Sequence, residues 1–236
     1  ANLVIDHSPP ADQPPADGLT DQPVVITAQG WQVICHNAAV GQQIADALPA
    51  ITKRVAADLV CEPLARPCTV KVLRSRAEFI RETGNAFGDG FTRGPCIWTY
   101  HGAAGIVQNV LPHEIAHVLL NRLPRPLPSW LSEGLAIRQE AAAGAYWQVI
   151  REGNAMTVRQ LLAHRGPSRS KEQNNAFYAS AYAFVDMLIE EAGMAGIHRL
   201  IDALQAAPSP EAAICSLFGH RSMEELELRW LRYIGK

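Results

Sequence analysis

Apolar residues recur every three or four positions through much of the chain, and in a few short stretches they alternate instead. Ile44, Leu48, Ile51, Val55 and Leu59 form a helical stripe over 38–59. Asn37 is placed to cap that helix, and Pro49 is expected to bend or divide it. Ahead of it, Val24–Thr27 and Trp31–His36 read as two strands of a hairpin, with Gly30 at the turn. Thr69–Leu73 and Cys96–His101 read as further strands, separated by a helix or irregular turn near 76–83. Gly84, Gly88, Gly90 and Gly94 make 84–95 a loop. Its glycines lack the spacing and the trailing Lys-Ser or Lys-Thr of a phosphate-cradling loop. By chain order, 96–101 is expected at a sheet edge, able to accept an extended peptide as an added strand.

Beyond residue 104 the period is helical almost throughout. One helix is expected over 105–121, with Pro112 either in its first turn or at a bend. Pro124, Pro126 and Pro128 exclude a helix from 122 to 129. A second helix is expected from an N-cap at Ser129 to about residue 149. Shorter helices follow over 158–164, 175–191 (ended by Gly193), 195–206, 209–217 and 222–234. Ser222 and Glu225 make a capping box for the last. The class is therefore α+β, with a small N-terminal sheet and helices followed by a mainly helical part. A Pro-rich leader over 1–22 precedes one domain over 23–236, β-rich over 23–103 and helical over 104–236.

The polar residues of the 105–121 helix change the picture. Its apolar positions, Leu111, Ile115, Val118, Leu119 and Leu120, surround His113, Glu114 and His117. Residues four apart share one helix face, so both imidazoles can reach one ion. Neutral imidazole suits zinc, and a catalytic zinc keeps one position open for water. Glu114 stands beside His113 and can act as base on that water. A third ligand is required. Glu133 is the leading candidate, sixteen residues after His117 and past the proline turn, within apolar Trp130–Gly134. Gly134, Ala136 and Ala142 are small and allow this helix to approach a neighbour closely. An oxyanion donor besides the metal is needed; Tyr178 is the first choice and Tyr182, four residues on, the second, with His164 and His220 more remote. Arg138 is suited to orienting a substrate carboxylate, and Trp98, Thr99, Tyr100 and His101 to lining a bound peptide.

With these residues in place, Leu111–His117 followed by Pro128–Ala136 resembles the gluzincin clan of zinc metallopeptidases. The similarity is closest to small bacterial peptidase MA-like domains, distant relatives of the thermolysin and M1 aminopeptidase catalytic domains. The resemblance implies a zincin-like fold with the two site helices packed together. It also implies one catalytic zinc on His113, His117 and Glu133, with Glu114 activating the zinc-bound water. Phe177–Tyr182 resembles the clan's tyrosine-bearing helix, with Tyr178 at the functional position, and Phe218–Tyr233 its C-terminal segment. Two departures stand out. Ile137 occupies the place where thermolysin-like enzymes carry an Asp that orients a ligand His, leaving Glu140 as the nearest substitute. The separate domain by which M1 enzymes grip a free amino terminus is lacking, which favours an endopeptidase. The alternatives are a zinc-binding module of the same fold that cleaves nothing, and a hydrolase of non-peptide amides.

The resemblance implies a peptide or protein substrate, and composition argues against other partners. A net charge of -2 offers no field for nucleic acid, and no apolar run reaches transmembrane length. Of five cysteines, Cys61 and Cys68 bracket a short loop suited to a disulfide, and Cys35 with Cys96 are a second candidate pair. That leaves Cys215; buried thiols are the alternative, since spacing does not fix connectivity. Disulfides, and a chain that starts at Ala1, lead to the expectation of a processed monomer that is secreted or periplasmic in a bacterium.

Overall fold

The computed structural model describes residues 18–62, 64, 67–166, 168, 170–206 and 210–235. The expected leader lies outside them up to residue 17, as do parts of the Cys61–Cys68 loop and the start of the helix expected at 209. The class is α+β, with a small mixed sheet early in the chain and a mostly helical remainder. The described chain groups into two compact units. The first takes residues up to 121 together with 139–142; the second takes 122–138 and everything from 143. The two-histidine helix thus belongs with the sheet rather than with the helices that follow it.

The first unit is built on five strands: β1 (Val24–Ala28), β2 (Trp31–Cys35), β3 (Cys68–Leu73), β4 (Phe91–Arg93) and β5 (Cys96–Tyr100), in the order β1-β2-β3-β5-β4. β2, β3 and β5 run parallel, and β1 and β4 are antiparallel to their neighbours. This corrects one expectation. Cys96–Tyr100 is an interior strand, and the edge is β4, a three-residue strand inside the stretch read as a glycine loop. The alternation within strands sorts side chains between two faces. Registers Val33↔Val70, Val70↔Ile97 and Thr92↔Ile97 put these residues on one face with Trp31, whose indole N–H donates to Thr52. On that face α1 (Ala38–Leu59), capped by Asn37 as expected and continuous through Pro49, packs on β1 and β2, and the helix over Leu111–Leu120 packs on β4 and β5. The opposite face carries Phe91, Trp98 and Tyr100, which pack against Phe79 and Ile80 of α2 (Arg76–Thr83).

Register also separates Cys35 from Cys96. Cys35 lies opposite Val72, whose other neighbour is Thr99, so Cys96 is two strands away and three residues along. At roughly 4.8 Å per strand and 3.3 Å per residue this far exceeds the span of a disulfide. The described residues contain no disulfide, and the case for export loses that support. Among the same residues, no helix is long and apolar enough to cross a membrane.

The second unit is helical. It contains α4 (Ser129–Ile137), α5 (Tyr146–Arg151), α6 (Val158–Ala163), α7 (Lys171–Ala206), α8 (Pro210–Leu217) and α9 (Met223–Tyr233), with Gly193 breaking α7 where the sequence places a stop. Trp130, Phe184 and Trp230 meet edge to face at centroid distances of 5.3 and 5.7 Å and form its core. Pro128, not Ser129, caps α4. The close neighbour that requires Gly134 is α7: a Cβ there would stand 2.5 Å from the Ala181 carbonyl oxygen. Backbone cannot swing aside as a side chain can. Gly134→Ala is expected to cost about 1–3 kcal/mol, read as a lower denaturant midpoint at unchanged slope.

Candidate functional site

The two-histidine helix, α3 (Leu111–Leu120), starts with Pro112 inside its first turn and is preceded by a π-helical turn over Ile106–Val110. The expected single helix over 105–121 is therefore two conformations in series. Leu111, Ile115, Val118 and Leu119 are buried, which fixes the rotation of α3 and leaves His113 and His117 together on its partly open side. Their rings meet at 4.8 Å between centroids, and the two Nε2 atoms are 3.1 Å apart. Two nitrogens bound at about 2.0–2.1 Å in tetrahedral geometry would stand roughly 3.3 Å apart. The pair is thus spaced for a shared ion as well as for a shared proton.

The expected helix over 129–149 ends at Ile137, and here the structure adds what periodicity hid. Residues 139–142 leave the second unit and join the first. The Ala141 N–H donates to the Gln108 carbonyl and the Ala142 N–H to the Asn109 side chain, while Arg54 holds Gln139. Partners outside the segment replace the helical ladder. The result delivers Glu140, whose Oε1 lies 2.7 Å from His113 Nδ1. With Nδ1–H donated to a carboxylate, the lone pair of His113 sits on Nε2, facing His117.

Glu114 is buried at 6% exposure. Its Oε2 accepts from the Thr92 hydroxyl of β4 at 2.7 Å. Thr92 and Gly90 were hidden in the sequence because four glycines outweighed the β-type run Phe91-Thr92-Arg93. No protein-family profile and no curated protein matches the chain.

The residues expected to line a peptide are otherwise engaged. Thr99 is fully buried and donates to the Asp89 carbonyl at 2.8 Å. The Tyr100 hydroxyl bonds the Asp89 carboxylate and Arg76; burial first, then Asp89, pushes its pKa up to about 12, so it stays a phenol. Trp98 packs on Phe91 at 5.9 Å, with the Lys71 ammonium 5.4 Å from its ring centre. Trp98 and Tyr100 lie on the sheet face turned to α2, whereas Thr92 reaches Glu114 from the other. His101 borders a cleft of about 260 Å³ with Val40, Gln43, Ile44, Ile106 and Gln108; His113, Glu114 and His117 do not line it.

The other expected site residues belong to the second unit. Glu133 is half-buried on α4, one residue before the Gly134 contact. Tyr178 and Tyr182 lie one turn apart on α7, Tyr178 beside Phe177 at 5.4 Å and Tyr182 beside Tyr146 at 6.2 Å. Burial, then the nearby Asp186 carboxylate, raises the Tyr182 pKa. Arg138 donates to Asp186 at 2.5 Å.

Proposed function

We propose that this chain is a zinc-dependent peptide-bond hydrolase, an endopeptidase, in which His113, His117 and Glu133 hold one zinc ion and Glu114 handles the proton. The observation that carries the reading is the imidazole pair, spaced 3.1 Å between Nε2 atoms, with Glu140 Oε1 2.7 Å from His113 Nδ1. Two imidazoles with one carboxylate are donors of the kind that suit zinc. When bound, the ion would polarise the scissile carbonyl and lower the pKa of a coordinated water. The chain's own residues supply the remainder. Glu114 takes a proton from the attacking water and returns it to the leaving amine. Tyr178 donates to the oxyanion as it develops. The outer side of β4 has no strand neighbour among the described residues, and an extended substrate adds there. Strand addition engages the middle of a peptide, which favours internal cleavage.

The test is digestion of a peptide library by the zinc-loaded protein, with Glu114→Gln as the control. Internal cleavage that stops with chelator and with the variant supports the reading. Zinc binding with no cleavage would reduce the protein to a binding module. Glu140 gives a separate check. Glu140→Ala is expected to weaken zinc affinity about 10–100-fold in a competition titration, because His113 loses the partner that orients it.

A further inference from the structure

The stretch over 85–92 has a job that follows from where it touches α3. We propose that Gly90 and Thr92 are positioning residues, which together hold the Glu114 carboxylate in the orientation used for proton transfer; this rests on Glu114 being the base. A glutamate side chain has three torsions, and the last is broad, so a carboxylate left alone rotates freely. Here two neighbours fix it. The Thr92 hydroxyl donates to Oε2 at 2.7 Å and lies 3.2 Å from the Glu114 carbonyl oxygen. On the other side the carboxylate lies against Gly90. A Cβ at Gly90 would stand 2.7 Å from Glu114 Cγ, closer still to Oε1, and 2.8 Å from Val110 Cγ1. Gly90 does not adopt positive φ, so its backbone would accept another residue. What requires glycine is the space taken by Glu114.

Gly90 is also held from behind. Asn85 Oδ1 accepts from the N–H groups of Phe87 and Gly88, both at 3.1 Å, and its amide donates to the Gly90 carbonyl at 2.9 Å. Arg76, buried, donates to the Ala86 carbonyl at 2.7 Å and to the Asp89 carboxylate at 2.9 Å. Thr99 holds the Asp89 carbonyl. With 85–90 fastened to α2 and β5, what yields to an added methyl is the Glu114 side chain from Cγ outward, with Val110 beside it. The displacement misplaces the base, at a cost in stability for the contacts it disturbs. Proton transfer requires hydrogen-bond reach, so the effect falls on turnover rather than on binding.

Thr92→Val keeps the shape and removes the hydroxyl. Its kcat is expected to fall about 10–100-fold, as for loss of a hydrogen bond to a charged group, with KM and zinc content close to those of the wild type. Thr92→Ser, which restores the hydroxyl, is expected to recover turnover. Gly90→Ala is expected to lower kcat at least as far, with zinc content close to that of the wild type. Crystal structures of the zinc-free variants give a readout independent of turnover: the carboxylate takes a new rotamer in Gly90→Ala and loses its fixed orientation in Thr92→Val. A wild-type kcat in Thr92→Val, or an unmoved carboxylate in both variants, overturns the proposal. Failure of the zinc-loaded wild type to cleave any peptide would instead sink the hydrolase reading, while the carboxylate positions still decide whether Gly90 and Thr92 orient Glu114.

Discussion

Glu114→Gln is expected to lower peptide turnover by about 10²–10⁴-fold, the range for removing a general acid–base, while the protein keeps its zinc. The swap is close to isosteric, so the group stays where Gly90 and Thr92 leave room for it. The Thr92 hydroxyl still has an oxygen to donate to. The amide, however, cannot take a proton from water at neutral pH, and one of its ends now presents donors rather than lone pairs. On the proposed reading zinc is unaffected, because the donors it assigns are His113, His117 and Glu133. The measurement is kcat on a cleaved peptide alongside zinc content by elemental analysis. Equal turnover in the variant and the wild type would remove Glu114 from the chemistry. Loss of zinc with loss of turnover would make it a ligand or a structural support instead.

The parts of the molecule legible in the sequence are those whose cause is local. The stripe from Ile44 to Leu59 yields α1 at its expected bounds, because burial at a period of 3.6 and the Asn37 cap act within a few residues. Histidines four apart converge for the same reason. What was hidden depends on pairing across distance. β4 has only three residues, and its strand character comes from pairing with β5. Alternation puts Trp98 and Tyr100 on one face and Thr99 on the other, yet which face α3 covers depends on the sheet order. Periodicity extends the 129–149 helix past Ile137. The true end is set by Gln108, Asn109 and Arg54, which take the backbone and side chains of 139–142. Nothing in the local pattern joins Glu140 to His113, and their meeting spans 27 positions. Thr92 and Glu114 are 22 apart, with no pattern in the chain to link them.

Removal of one imidazole is expected to have the largest effect on the metal. For the wild type, zinc at about 100 times its Kd adds about 2.7 kcal/mol of stability by mass action. In a chain of this size that raises the unfolding temperature by roughly 5–10 °C. His117→Ala is expected to show no such shift over the same zinc range, and His113→Ala likewise, since one imidazole with one carboxylate forms a much weaker site. His113→Ala also strands the Glu140 carboxylate, which lies largely buried 2.7 Å from His113 Nδ1. It should therefore lower the zinc-free unfolding temperature more than His117→Ala does, because a buried carboxylate without its partner carries a desolvation cost. Calorimetry with and without zinc reads both effects. Glu133→Gln completes the series. If Glu133 is the third ligand, that variant needs much higher zinc for the same shift. A shift equal to the wild type's would leave the imidazole pair standing and transfer the third position to another group.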